Sequence, residues 1–182
     1  PNHSGEKREE CGIFGVVHKK GGDVAPHVYR ALMALQHRGQ DAAGMVVFDG
    51  KKIEFRGGVG MVDDVIRQED LEIKGSIGIG HTRYPTIGGI CRPCDVGPTV
   101  FEDLAVSHNG HVANYDGLKA ELEAAGYKFQ SAIDSEPFAI LLHKAGGIES
   151  GVREIMRKIE GAYSDVAIVG GTRHGAGGEQ RY

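Results

Sequence analysis

Glycine sits where it restricts the fold most: inside the apolar runs as well as between them. The segments CGIFG (11–15) and GSIGIG (75–80) intersperse glycine with isoleucine and phenylalanine. A strand glycine has no side chain to pack. It marks a bend, a bulge or a place where another backbone or a ligand comes close. There are 29 glycines in 182 residues, against a usual share of about 7%. A chain built this way needs layers that approach one another closely.

The order of apolar and polar runs supplies those layers. CGIFGVVH (11–18) reads as a buried strand. Asp23 and Pro26 announce a helix with Val28, Ala31, Leu32 and Leu35 on its apolar face. HRGQDAAG (37–44) turns the chain, and MVVFDGKKIEF (45–55) is a hairpin pattern around Asp49-Gly50. Residues 61–72 suit a short helix, and GSIGIGHTRY (75–84) a buried strand ending in polar residues. Prolines and glycines across 85–100 predict an irregular loop. LAVSHNG (104–110) is another strand with a polar end. A helix follows over 114–125, with Gly126 as its C-cap. Asp134 suits the N-cap of a helix through Phe138, Leu141 and Leu142, and Glu136 lies near the favourable end of its dipole. Residues 149–160 are amphipathic, and YSDVAIVG (163–170) is a last strand. Residues 171–182 lack periodicity and read as a disordered tail. Two groups of strands, each followed by helices, predict an α+β fold of stacked layers.

Composition narrows the function. The net charge of −4 gives no electrostatic reason to expect nucleic acid or an anionic membrane as partner. No apolar run approaches the roughly 20 residues that span a bilayer. The first ten residues, PNHSGEKREE, have no apolar centre and are not a secretory signal, so the expected location is cytoplasmic. Three cysteines do not make a disulfide framework. Cys91 and Cys94 form a CxxC, but a structural zinc needs four ligands, and only His81, His108 and His111 offer themselves. The flanking Gly-Gly and proline do not suit a redox motif. Two unpaired loop thiols, with no metal and no cofactor, are expected.

Four polar positions at element ends have chemical potential. Cys11 is a strong nucleophile once it loses its proton. Cutting the bond after Glu10 would give it an α-amine with a pKa near 8, on the same residue as the thiol and able to take its proton. The plainer alternative is a structural thiol at the start of a strand. Arg83 suits a carboxylate bidentately, or simply a surface ion pair. The Asn109 amide beside the Gly110 N–H offers two donors to an oxyanion, or simply a turn. Asp134 can hold an ammonium group, or only cap a helix. Together they describe a site for an amino acid with a side-chain carbonyl.

Five blocks carry a resemblance: CGIFGVV (11–17), ALQHRGQDAAGM (34–45), GIGHTRYPT (78–86), LAVSHNGHVANYDGL (104–118) and Asp134-Ser135-Glu136. Their order is similar to that of class II glutamine amidotransferases, which are N-terminal-nucleophile hydrolases. The QHRGQ and HTRY variants most resemble the glutaminase domains of amidophosphoribosyltransferases. The resemblance implies a four-layer αββα sandwich of two antiparallel sheets between helices. It implies that Cys11 attacks the glutamine amide to form a thioester, with Asn109 and Gly110 as the oxyanion hole. Arg83, helped by Thr86, would bind the glutamine carboxylate, and Asp134, with Gly110, the ammonium. Arg38 and Gly39 would lie in a loop closing on glutamine, and Tyr84 would couple the site to an acceptor. The ammonia would pass to a phosphoribosyltransferase domain or subunit, a step of purine biosynthesis. A homo-oligomer is compatible with this.

The sequence departs from the family pattern at Asp95-Val96-Gly97-Pro98-Thr99, where a run like Asn-Ala-Gln-Pro-Phe is usual. Residues 1–10 resemble a propeptide and 11–170 the glutaminase domain. That domain is expected to be C-terminally incomplete, with no acceptor domain. The alternative function is an unprocessed, non-catalytic glutamine-binding or regulatory module.

Overall fold

The apolar runs fold as antiparallel strands in two stacked sheets. The computed structural model describes residues 11–84, 93–131 and 133–170. Expectations for residues 1–10, 85–92 and 171–182 lie outside these. The first sheet contains β1 (Gly12–Val17), β2 (Ala42–Phe48), β3 (Ile53–Val59) and β4 (Ile77–Arg83), in the order β1-β4-β2-β3. The second contains β5 (Thr99–Phe101), β6 (Leu104–Val112) and β7 (Gly161–Val169), in that order. Helices α1 (Ala25–Leu35) and α2 (Val62–Val65) pack on the first sheet. Helices α3 (Tyr115–Ala124), α4 (Glu136–Ala145) and α5 (Ile148–Lys158) pack with the second. This is the expected α+β sandwich of two antiparallel sheets between helices.

Alternation along the strands divides the core into three layers. Ala43, Met45 and Val47 of β2 point to α1 and meet Val24, Val28 and Leu32. Val46 and Phe48 point the other way, joining Ile79, Ala105 and Ile168 between the sheets. Leu104, Val106 and Val112 of β6 face α3 and α4, packing with Leu118, Leu122 and Phe138. β2 is therefore buried along its whole length.

The interspersed glycines now have a reason. Gly78 and Gly80 lie under α1, and a Cβ on Gly80 would meet Leu32 at 2.8 Å and Val28 at 2.9 Å. On β1, a Cβ on Gly15 would meet Val166 of β7 at 2.6 Å. Missing side chains let α1 rest on β4, and let β1 rest on β7.

Some expectations change in detail. β1 is an edge strand, so it is only partly buried, and Val17 is exposed. The short helix foreseen over 61–72 splits into α2 and a 3₁₀ turn at Gln68–Glu72. The end of the predicted loop forms β5 and pairs with β6 through Thr99↔Val106. Asp134 does not cap α4. The residue before that helix is Ser135, which makes no side-chain capping bond. Instead the buried Glu136 accepts hydrogen bonds from the backbone N–H groups of Gln130 (2.7 Å) and Ser131 (2.9 Å). That leaves Asp134 available for other partners.

Close packing of α1 on β4 predicts the effect of adding bulk there. Gly80→Val should destabilise the chain by about 1–3 kcal/mol through overpacking. Urea unfolding monitored by circular dichroism measures this, and an unchanged midpoint would contradict the packing argument.

Candidate active site

The polar ends of β4 and β6 meet at one end of the inter-sheet layer. Ile77 and Ile79 are followed on the same face of β4 by His81 and Arg83. Ala105 is followed on the same face of β6 by Ser107 and Asn109. β1, which starts just after Cys11, packs with β4 beside β6. The layer is thus apolar over most of its length and polar where the nucleophile candidate sits.

Cys11 is held by its neighbours in the chain fold. The Gly12 N–H donates to Thr82 Oγ1 at 3.2 Å, and the Thr82 hydroxyl donates to the Leu35 carbonyl at 3.4 Å. The Arg38 Nε–H donates to the Cys11 carbonyl at 3.3 Å. Burial pushes the Cys11 thiol above its usual pKa, against the opposing pull of the Tyr84 backbone N–H and the Arg83 guanidinium; the Asp134 carboxylate adds to the rise. Arg83, the Tyr84 N–H and Asp134 therefore all act on the Cys11 thiol. The thiol rests in its protonated form and needs a base.

Arg83 is half-buried, and its Nη1 donates to the Asp95 carbonyl at 2.7 Å. Asp95, in the segment that departs from the family pattern, is itself buried, and the acceptor is its backbone carbonyl. Gly39 packs on the Arg83 backbone with no space for a side chain. The Asp41 N–H donates to the Arg83 carbonyl at 3.1 Å, and Gln36 Nε2 donates to the Gly39 carbonyl at 2.5 Å. Tyr84 is exposed at the strand end. Asn109 lies opposite Ser164 of β7 on the face directed at the first sheet. Gly110 follows in a left-handed conformation, φ 156°, where a Cβ would strike the Ala162 carbonyl and Tyr163. Thr86 lies outside the described residues.

The residue that sequence reasoning undervalued is His108. Its ring is buried, and Nδ1 lies 2.7 Å from Asp165 Oδ1, while Nε2 lies 3.6 Å from Asp134 Oδ2. Burial opposes a charge on His108, but the two carboxylates outweigh it and raise its pKa to about 9. Asp134 is also buried enough to resist ionisation, yet His108 holds its pKa below the usual carboxylate value. The signal was present in Ser107-His108-Asn109, but the partner Asp165 is 57 residues away and visible only in the β6–β7 register. His81 behaves oppositely. Both of its ring nitrogens are buried without a hydrogen-bond partner, and burial, then Arg83, lower its pKa to about 4. One histidine is cationic and the other neutral at pH 7. Of the CxxC, Cys91 lies outside the described residues, and Cys94 is exposed with its thiol 3.7 Å from Asp95 Oδ1. Among the described residues no cluster of His, Cys, Asp or Glu is arranged to hold a metal ion. Nor is any helix among them long and apolar enough to cross a membrane.

Comparison with known proteins gives the family and the fold. Residues 95–174 match the family model of a glutamine amidotransferase domain. The chain is 42% identical over 163 residues to the amidophosphoribosyltransferase of Methanocaldococcus jannaschii, covering 85% of this chain and 34% of that protein. It is 37% identical to the amidophosphoribosyltransferase of Bacillus subtilis, covering 86% of this chain and 34% of that one. It is 36% identical to a glutamine–fructose-6-phosphate aminotransferase of Acidithiobacillus ferridurans, covering 88% of this chain and 27% of that protein. The solved structure of the glutamine phosphoribosylpyrophosphate amidotransferase from B. subtilis superposes with a TM-score of 0.76 at 32% identity. That match covers 86% of this chain and 35% of the other. The chain thus spans about a third of the length of the amidophosphoribosyltransferases it matches.

The histidine charge predicts a pH dependence of stability. The unfolded chain loses the His108 proton near 6.5 and the folded chain near 9. Its contribution is complete below about 6.5 and is lost as pH rises to 9. The free energy of unfolding should fall by about 3 kcal/mol over that interval. Urea titrations at the two pH values measure the drop, and His108→Gln should flatten it.

Proposed function

The chain belongs to the glutamine amidotransferases, with a domain most like the glutaminase domain of amidophosphoribosyltransferases, and from that premise we propose that it hydrolyses glutamine to glutamate and ammonia through Cys11. The observation that supports this reading is that the Cys11 thiol feels both the Arg83 cation and the Asp134 anion. Free glutamine has a carboxylate and an ammonium on one carbon, and a side-chain amide two methylenes further on. Arg83 takes the carboxylate bidentately, with Thr86 beside it. Asp134 takes the ammonium, and the amide carbon is then presented to Cys11 Sγ.

The raised thiol pKa means that the reaction needs a proton acceptor close to sulfur. Cleavage after Glu10 supplies it as the α-amine of Cys11 itself, with a pKa near 8. The thiol proton passes to this amine as sulfur attacks the amide carbon. The tetrahedral oxyanion is stabilised by the Asn109 amide and the Gly110 N–H. The C–N bond then breaks, the amine returns its proton to the departing nitrogen, and ammonia leaves a γ-glutamyl thioester. Water, deprotonated by the same amine, hydrolyses the thioester to glutamate and restores the thiol. Arg38 and Gly39 form a loop over the site, and exposed Tyr84 is the contact that communicates with an ammonia acceptor. That acceptor is a phosphoribosyltransferase domain or subunit, in a cytoplasmic step of purine synthesis, and a homo-oligomer is compatible with it. The carbonyl of Cys11 is already held by Arg38, so the residue is fixed on the side away from its amine.

Intact-mass measurement together with an ammonia assay tests the reading. A chain beginning at Cys11 should release ammonia from glutamine, and an uncut chain should not; full activity of the uncut chain would refute the mechanism. Cys11→Ala should abolish the activity. Asn109→Ala should lower kcat by about two to three orders of magnitude, as for removal of one oxyanion donor. An unimpaired Asn109→Ala rate would remove that residue from the oxyanion hole.

A further inference from the structure

We propose that His108 is a positioning residue for glutamine: its imidazolium, held by Asp165, fixes the Asp134 carboxylate in the orientation that takes the substrate's ammonium. This rests on the reading above, in which Asp134 meets that ammonium.

Three elements converge on the ring. His108 lies on β6 directly opposite Asp165 of β7, with Nδ1 and Oδ1 2.7 Å apart. Its face packs on Phe138 of α4 at a centroid distance of 4.8 Å, and Tyr163 lies 6.3 Å away. Asp134, two residues before α4, sits 3.6 Å from Nε2. Only the protonated ring presents a donor on both nitrogens: the imidazolium hydrogen-bonds Asp165 through Nδ1 and forms an ion pair with Asp134 at 3.6 Å from Nε2, beyond hydrogen-bond distance. The other charged or titratable groups near this cluster among the described residues are Cys11, His81, Arg83, Tyr115 and Tyr163. His81 is neutral at pH 7, and its ring lies beside the His108 backbone. Arg83 is directed at the Asp95 carbonyl.

The charge count gives the arrangement its use. Two carboxylates and one imidazolium sum to one net negative charge. Without the charge on the ring, the partial burial of Asp134 would favour its protonated form. A protonated Asp134 would no longer pair with an ammonium. The imidazolium keeps Asp134 ionised, so that its negative charge remains for the substrate. Asp134 is about a third exposed while His108 is buried, so the carboxylate keeps an open side beyond its contact with the ring. Its charge also acts on the Cys11 thiol.

Glutaramate separates this role from general support of the fold. It has the amide and carboxylate of glutamine but no ammonium. Calorimetric binding is measured on the Cys11→Ala form of the chain beginning at residue 11, which does not consume the ligand. That form should bind glutamine about tenfold or more tighter than glutaramate, as for one charge-assisted contact. Adding His108→Gln should reduce the preference to about twofold and leave glutaramate affinity nearly unchanged. Asp165→Asn, which keeps the ring and its packing, should move the preference in the same direction. Parallel loss of both ligands, or a preference that survives both substitutions, would overturn the inference. So would a parent chain without preference. Ammonia release by the unsubstituted chain is assayed separately: a preference without hydrolysis refutes only the proposed reaction, and hydrolysis with an unchanged preference refutes only the role of His108.

Discussion

The stacking of two sheets at close range is the constraint on which this molecule depends. Small residues set that range: Gly15 faces Val166, and Gly97 lies against the His81 ring with no space for a side chain. Between the sheets Val46, Phe48, Ile79, Ala105 and Ile168 form a dry layer. β4 and β6 carry this layer into polar sequence without leaving it. Ile79 gives way to His81 and Arg83, and Ala105 gives way to Ser107 and Asn109. Polar groups brought so close to an apolar core lose much of their hydration. His81 illustrates the consequence, since its ring stays neutral with neither nitrogen paired.

Desolvation also decides how the nucleophile can be activated. A thiol in an electropositive, open setting ionises by itself. Cys11 has the opposite setting: burial raises its pKa, and Asp134 adds to the rise against Arg83 and the Tyr84 N–H. The opposing influences of Arg83 and Asp134 do not outweigh burial, so the setting disfavours a free thiolate. Reactivity must then come from a proton acceptor adjacent to sulfur rather than from a permanently ionised thiol. His108 is unsuited to that task, because its two carboxylates hold it protonated.

Much of the fold was legible because local pattern and tertiary structure agree. The β2–β3 hairpin follows from its alternation and from Asp49, whose carboxylate accepts the Lys51 and Lys52 N–H groups in the turn. The α1 face Val28, Leu32 is read directly from spacing, and the left-handed Gly126 follows α3 as the C-cap pattern requires. What was not legible depended on long-range partners. β1 reads as buried, but its place at the sheet edge leaves Val17 in solvent. Asp134 has the composition of an N-cap, yet its partner is a histidine 26 residues earlier on a neighbouring strand. Asp165 reads as an ordinary polar position in β7, and only register places it on His108. Single residues of the site were named from motif, whereas the charge relations among them required the fold.

The loop between α1 and β2 links the two halves of the site mechanically. Arg38 binds the carbonyl of Cys11, at the start of β1. Its neighbour Gly39 presses on the backbone of Arg83, and Asp41 hydrogen-bonds the Arg83 carbonyl at the end of β4. The side chain of Gln36 joins the Gly39 carbonyl to the Val62 N–H of α2. The Cys11 carbonyl and the Arg83 backbone are thus both fastened to one short segment, with a glycine where it meets Arg83. Backbone packing this close transmits shifts rather than absorbing them, so the Arg83 backbone and the segment that holds the Cys11 carbonyl constrain one another.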